Sequence, residues 1–367
     1  MFQGLGTLFF KKNRKPETIQ EQRNQVLQAE NANKKENMKK KFLLPALFMF
    51  MLSCGDKGSN TPAPPPPEPP ETEMLPMNSL IFKSGVWAEH RVDSVVRFEK
   101  MRGVKLDIIS VFTSRESWKD MQNTWFMSPA QIPPGFKGTI NVGMPLWPED
   151  CNLEEAAAGN YNAEWEKLGN SIAAKFPDAY LRPGMEMNIL NMYWMATPAN
   201  KEKWMQAFRH AIASLRKASD KFRIMWVVNI GLGQTGTQDA TEFYPGNEWV
   251  DFIGFDVYDW WPPYTTVETI KRIKEGPYSW DFWLNFSKSK GKKLVIPEWG
   301  IASLHPQGGR DNPKFINFVY SWLRDNKDWI EMECYFQNTK DIGSDLFTSR
   351  NPLSSAEYKA WMSKLKK

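Results

Sequence analysis

Residues 250–300 read VDFIGFDVYDWWPPYTTVETIKRIKEGPYSWDFWLNFSKSKGKKLVIPEWG. Two apolar, β-rich runs, Val250–Asp259 and Lys293–Gly300, flank an amphipathic stretch over Val267–Lys290. Strand, helix and strand in that order imply parallel strands joined by a crossover. The alternation continues outward. Upstream, the pattern predicts strands at Leu80–Ala88, Leu106–Ser114, Gly138–Trp147, Ala179–Asn188 and Phe222–Ile230; downstream it predicts one at Trp329–Asn338. Helical patterns separate them at Asn162–Phe176, Lys201–Lys217 and Pro313–Asn326, and Ser354–Lys366 closes the series. Within Lys201–Lys217, Trp204, Phe208, Ala211, Ile212 and Leu215 recur at three- and four-residue steps, which gives a helix one buried face. Eight units over residues 80–367 predict an α/β fold, a single (β/α)8 barrel. The competing open, doubly wound sheet usually has fewer strands and a reversal point that the pattern does not display.

The chain has 367 residues, 41% of them hydrophobic and 24% charged, which fits a globular protein. Its formal charge of +5 is a local effect. Residues 1–53 hold ten Lys/Arg against four Asp/Glu, leaving 37 basic and 38 acidic groups in the remainder. Such a balance argues against a nucleic-acid partner. The three Cys and three His are scattered, so no metal site and no cofactor is expected.

The front of the chain has the pattern of an address. Residues 1–37 are polar and aperiodic, an unstructured leader whose presence suggests that Met38 is the true start. Residues 38–53 combine three lysines with an apolar run from Phe42 to Leu52, a signal peptide too short to span a bilayer stably. The Leu-Ser-Cys ending resembles a bacterial lipobox, which implies lipidation of Cys54 and anchoring to the outer membrane. Residues 54–78 form a tether in which Thr61–Pro70 carries seven prolines, an extended spacer. The barrel is expected over 79–367, as a monomer.

In a barrel, functional groups gather at the C-terminal ends of the strands. Strand four (AYLRPGMEMN) carries Glu186 near its end, and strand seven (KLVIPEWG) carries Glu298. Strand six delivers Asp256, Tyr258 and Asp259. A charge at the end of an apolar strand is costly unless it is paired or working. Two glutamates facing one mouth suit glycoside hydrolysis, where one carboxyl protonates the leaving oxygen and the other attacks or activates water. The plainer alternative is that either glutamate only ion-pairs Arg182 or a loop lysine. Trp260 and Trp261, after strand six, are candidates to stack on sugar rings, and Trp87, Trp147 and Trp194 are further candidates at strand or loop ends. Arg182 is placed among the substrate-binding candidates.

The chain resembles glycoside hydrolase family 26, a retaining family dominated by endo-β-mannanases. The matching stretches are residues 85–118, LRPGMEMN (181–188), MWVVN (225–229), YPGNEWVDFIGFDVYDWW (244–261) and IPEWG (296–300). By that resemblance Glu186 is the acid/base, Glu298 the nucleophile and Tyr258 a hydrogen-bond partner of the nucleophile, with Asn229 and Trp299 lining the pocket. It implies a polysaccharide substrate, β-1,4-mannan first, with β-1,3-xylan, mixed-linkage glucan or mere glycan binding as alternatives. Many members have His where this chain has Met185, which bears on the choice of polymer.

Two further signals carry less. Residues 231–236 spell GxGxxG after a strand, but TQDATEFYPGN follows with no helical period, so a dinucleotide site is not expected. Cys151 and Cys334 fall in a loop and a strand, which argues against a disulfide between them.

Overall fold

The computed structural model describes residues 74–190, 192–234, 239–347 and 349–367. The leader, the signal segment, Cys54 and most of the tether lie outside them. Eight parallel strands close in sequence order into a barrel: β1 (Lys83–Trp87), β2 (Ile108–Phe112), β3 (Thr139–Met144), β4 (Tyr180–Pro183), β5 (Arg223–Asn229), β6 (Phe252–Tyr258), β7 (Lys293–Gly300) and β8 (Ile330–Phe336). β1 pairs with both β2 and β8, so the sheet closes on itself. All eight predicted strands are present.

All but β7 end sooner at the mouth than expected. Strand four was expected to reach Asn188, yet its ladder stops at Pro183 and Gly184 turns the chain with φ 65°. The stretch 267–290 is two helices, Val267–Glu275 and Trp280–Ser289. Gly276-Pro277 breaks it, because proline lacks an N–H and disfavours helical geometry at the preceding residue. At the other end, Leu75 bridges Val104 and packs on the core, so ordered structure begins inside the segment assigned to the tether.

Two apolar layers result. Ile108, Tyr180, Met225, Val227, Val295, Met332 and Cys334 fill the barrel interior. The larger layer lies between strands and helices, where Lys201–Ala218 buries Trp204, Phe208, Ala211, Ile212 and Leu215. Cys334 is free and interior, and Cys151 is also free. Gly85 allows the interior to close. A Cβ there would lie 2.5 Å from the Ile108 carbonyl oxygen and 2.6 Å from Cys334 Sγ. We expect Gly85→Ala to destabilise the fold by about 1–3 kcal/mol, the usual penalty for overpacking. An unchanged melting temperature for that variant would contradict this packing.

Candidate active site

Three strand ends and one turn build the site. β4 supplies Arg182, whose side chain is 1% exposed and stands beneath the mouth. Its Nη1 donates to Asp256 Oδ2 on β6 (2.6 Å), and its Nη2 donates to Glu298 Oε2 on β7 (2.7 Å). The other Glu298 oxygen accepts from Tyr258 Oη at 2.6 Å. Both carboxylate oxygens of Glu298 are therefore held, while its side chain remains 13% exposed. Planar, two-pronged donation suits a guanidinium far better than an ammonium.

Glu186 stands just beyond β4 on a left-handed turn, with φ 51°. A non-glycine residue there is strained, on the order of 1–3 kcal/mol, and must be held by its surroundings. Its N–H donates to the Val227 carbonyl at 3.0 Å. Its Oε1 accepts from Asn229 Nδ2 at 2.8 Å. Asn188 in turn clamps the Asn229 backbone, accepting from its N–H and donating to its carbonyl, each at 2.8 Å.

Glu186 and Glu298 line one cavity of about 360 Å³, with Trp87, His90, Phe112, Arg115 and Phe336 among the other walls. Burial, followed by the negative charge of Glu298, pushes the Glu186 carboxyl up to about 7, against the pull of the Asn229 amide and Arg182. Burial likewise raises Asp256, opposed by Arg182. The geometry thus provides a carboxyl that keeps its proton near neutrality, facing a second one gripped by an arginine and a tyrosine.

Several tryptophans stand elsewhere than expected. Trp299 is fully buried and donates its indole N–H to Glu333 at 2.6 Å, in the layer outside the barrel. Successive strand residues point to opposite faces, so the neighbour of an inward Glu298 turns outward and cannot line the pocket. Trp194 is also fully buried; its indole donates to the Met185 carbonyl at 2.8 Å and supports the site from behind. Arg182 is committed to two carboxylates rather than offered to a ligand. Trp260 and Trp261 do reach solvent, beside a second cavity of about 580 Å³ that also touches Asn229 and Tyr258. Asp259 anchors a loop, accepting from the Tyr264 N–H and Asn312 Nδ2.

The cavity also uses Trp87, a strand-end candidate in the sequence, together with residues that sequence reasoning passed over. Trp87 stacks on Phe336 with centroids 4.0 Å apart, and its indole donates to His90 Nε2 at 3.3 Å. His90, left without a role by its isolation in sequence, is held by Gln131 at 2.7 Å. Thr113 and Arg115 follow the end of β2. The strand-end rule that selected Glu186 would have selected them too.

An eight-stranded barrel with paired carboxyls at its C-terminal mouth defines an acid/base site of the kind used on glycosidic bonds. The chain resembles known proteins of that kind. The family model described as glycosyl hydrolase family 26 matches residues 164–272, a span that includes Glu186, Asn229 and Tyr258 and ends before Glu298. A mannan endo-1,4-beta-mannosidase of Bifidobacterium adolescentis is 31% identical over 114 residues. That match covers 28% of this chain and only 11% of the relative. Among solved structures, the catalytic domain of a Bacillus sp. JAMB-750 endo-beta-1,4-mannanase superposes with a TM-score of 0.57 at 16% identity, covering 77% of this chain and 85% of that one. A modular endo-beta-1,4-mannanase from Cellulomonas fimi gives 0.55 at 13% identity, covering 76% and 70%. At such identities these two establish the barrel fold.

Two measurements check the site. Trp261 is 68% exposed and Trp194 is fully buried. Trp261→Ala should leave the melting temperature unchanged and weaken carbohydrate binding, whereas Trp194→Ala should cost about 3–5 kcal/mol of stability. Equal melting temperatures for the two variants would refute this placement. Secondly, the Glu186 value of about 7 exceeds its ordinary 4.5. A raised acid favours the folded state below the unfolded value, and that advantage is lost as pH rises through the folded one. Glu186→Gln should therefore gain melting temperature over wild type at pH 8 and lose that margin at pH 4. A margin independent of pH would contradict the raised value.

Proposed function

We propose that this protein is a retaining, endo-acting β-glycoside hydrolase that cleaves a polysaccharide, with β-1,4-mannan as its substrate. One observation carries the reading: Glu186 and Glu298 line the same cavity, where burial and the neighbouring Glu298 charge raise the Glu186 carboxyl to about 7. Glu298 attacks the anomeric carbon, and Glu186 gives its proton to the departing oxygen. Water then takes the leaving group's place, deprotonated by Glu186, and attacks the glycosyl-enzyme to release the sugar and free Glu298. Arg182 and Tyr258 hold Glu298 on its line of attack, and Asn229 orients Glu186. The mannan assignment draws on the family resemblance and on the name of the Bifidobacterium relative. In the same proposal, lipidation at Cys54 anchors the enzyme to the outer membrane and the proline-rich arm holds the barrel clear of it, supported by residues 38–70.

Reducing-end release from β-mannan, with proton NMR of the first product anomer, tests this reading. We expect the β-anomer first. Glu186→Gln and Glu298→Gln should each lower kcat by on the order of a thousandfold while remaining folded. Wild-type kcat/KM should decline as pH rises through about 7, where the acid loses its proton. Near-normal turnover in Glu298→Gln would sink the proposal, and an initial α-anomer would sink its retaining step.

A further inference from the structure

Arg115 projects from the segment after β2 into the cavity that holds both glutamates. Its guanidinium stacks over the Trp194 ring, 5.3 Å from the centroid. That indole is itself locked, donating to the Met185 carbonyl, while the Trp194 carbonyl accepts from Trp204 Nε1 at 2.8 Å. The Arg115 backbone is pinned as well: its carbonyl accepts from Tyr193 Oη at 3.0 Å and from the Glu149 N–H at 2.8 Å. The nearby Glu116 carboxylate accepts from the Arg115 backbone N–H, not from its side chain. The guanidinium thus makes no ion pair and no side-chain hydrogen bond among the described residues, and its charge acts on the Glu186 carboxyl only from a distance.

This contrasts with Arg182, whose charge is fully used by Asp256 and Glu298. Arg115 is partly shielded from solvent, and ordering a long side chain on a fixed ring costs entropy that no internal ion pair offsets. A second group points the same way. Thr113, from the same strand end, lines the cavity, and its buried hydroxyl has no hydrogen-bond partner. Buried polar groups left unpaired are uncommon, and one that lines a cavity is placed to bond whatever fills it.

We propose that Arg115, with Thr113, binds an anionic substituent on the sugar chain, so that the preferred substrate is an acidic rather than a neutral β-glycan. The inference rests on the hydrolase reading of this cavity and adds to it the charge of the substrate. A planar fork of N–H donors is matched to a carboxylate or a sulfate ester, and charge-assisted bonds exceed those to neutral hydroxyls. Without Arg115, an anionic sugar would approach Glu298 and Asp256 with only the committed Arg182 to oppose the repulsion.

The probes are mannohexaose, mannohexaose oxidised at its primary hydroxyls to carboxylates, and sulfated mannohexaose. Calorimetry on the full chain carrying Glu186→Gln measures binding without turnover. One of the acidic probes should bind about tenfold more tightly than the neutral one, at the lower end of what a bond to a charged group contributes; which of the two does so identifies the anion. Adding Arg115→Ala should abolish that preference by weakening the acidic probe about tenfold more than the neutral one, while Arg115→Lys should keep part of it. Neutral binding as tight as acidic, equal weakening of all three by Arg115→Ala, or binding of none would each overturn the inference. Acidic preference without any release of reducing ends by the active protein would leave the inference standing and defeat the hydrolase reading instead.

Discussion

The site depends on one buried guanidinium. Arg182 joins β4 to β6 and β7 by holding Asp256 and Glu298 at once, at 2.6 and 2.7 Å, above an apolar cluster that fills much of the barrel interior. Removing one member of such a group strands a buried charge and costs about 3–5 kcal/mol. That threat is what ties position to protonation. Glu298 cannot swing away without orphaning the arginine, and its fixed negative charge adds to burial in keeping the proton on Glu186.

Around this group the aromatic residues divide into two populations with different work. Trp194, Trp204 and Trp299 are fully buried, and each spends its indole N–H on a carbonyl or carboxylate. They stiffen the layer behind the mouth, including the turn on which Glu186 stands. Trp87 and Phe336, stacked at 4.0 Å, form a wall that reaches the cavity, and Trp261 stands outermost. Tryptophan occurs in both populations, and what separates them is which face of their strand, helix or loop they occupy.

Much was legible along the chain because strand periodicity survives local reading. Eight apolar runs, the helix with Trp204 and Phe208 on one face, and the acids at strand ends all follow from repeats of two or about 3.6 residues. The break at Gly276-Pro277 was visible too, as a dipeptide that a helix tolerates poorly, but the apolar pattern on either side obscured it. Arg115 was legible by its position after a strand end, but the contacts that His90 and Arg115 make were not. Their partners are Trp87 and Gln131 in one case and Trp194 in the other, and no local period encodes such meetings.

By itself, the sequence determined the order of strands and helices, the barrel they close into and the two carboxyls brought to one end of it. Those features depend on short-range patterns and on the rule that parallel strands expose their C-terminal ends together. Only the tertiary structure decided that Trp299 faces away from the mouth, that Arg182 is spent on two carboxylates and that Arg115 forms no ion pair among the described residues. Orientation and pairing arise from contacts between residues as much as 116 positions apart, and geometry alone distributes charge among them.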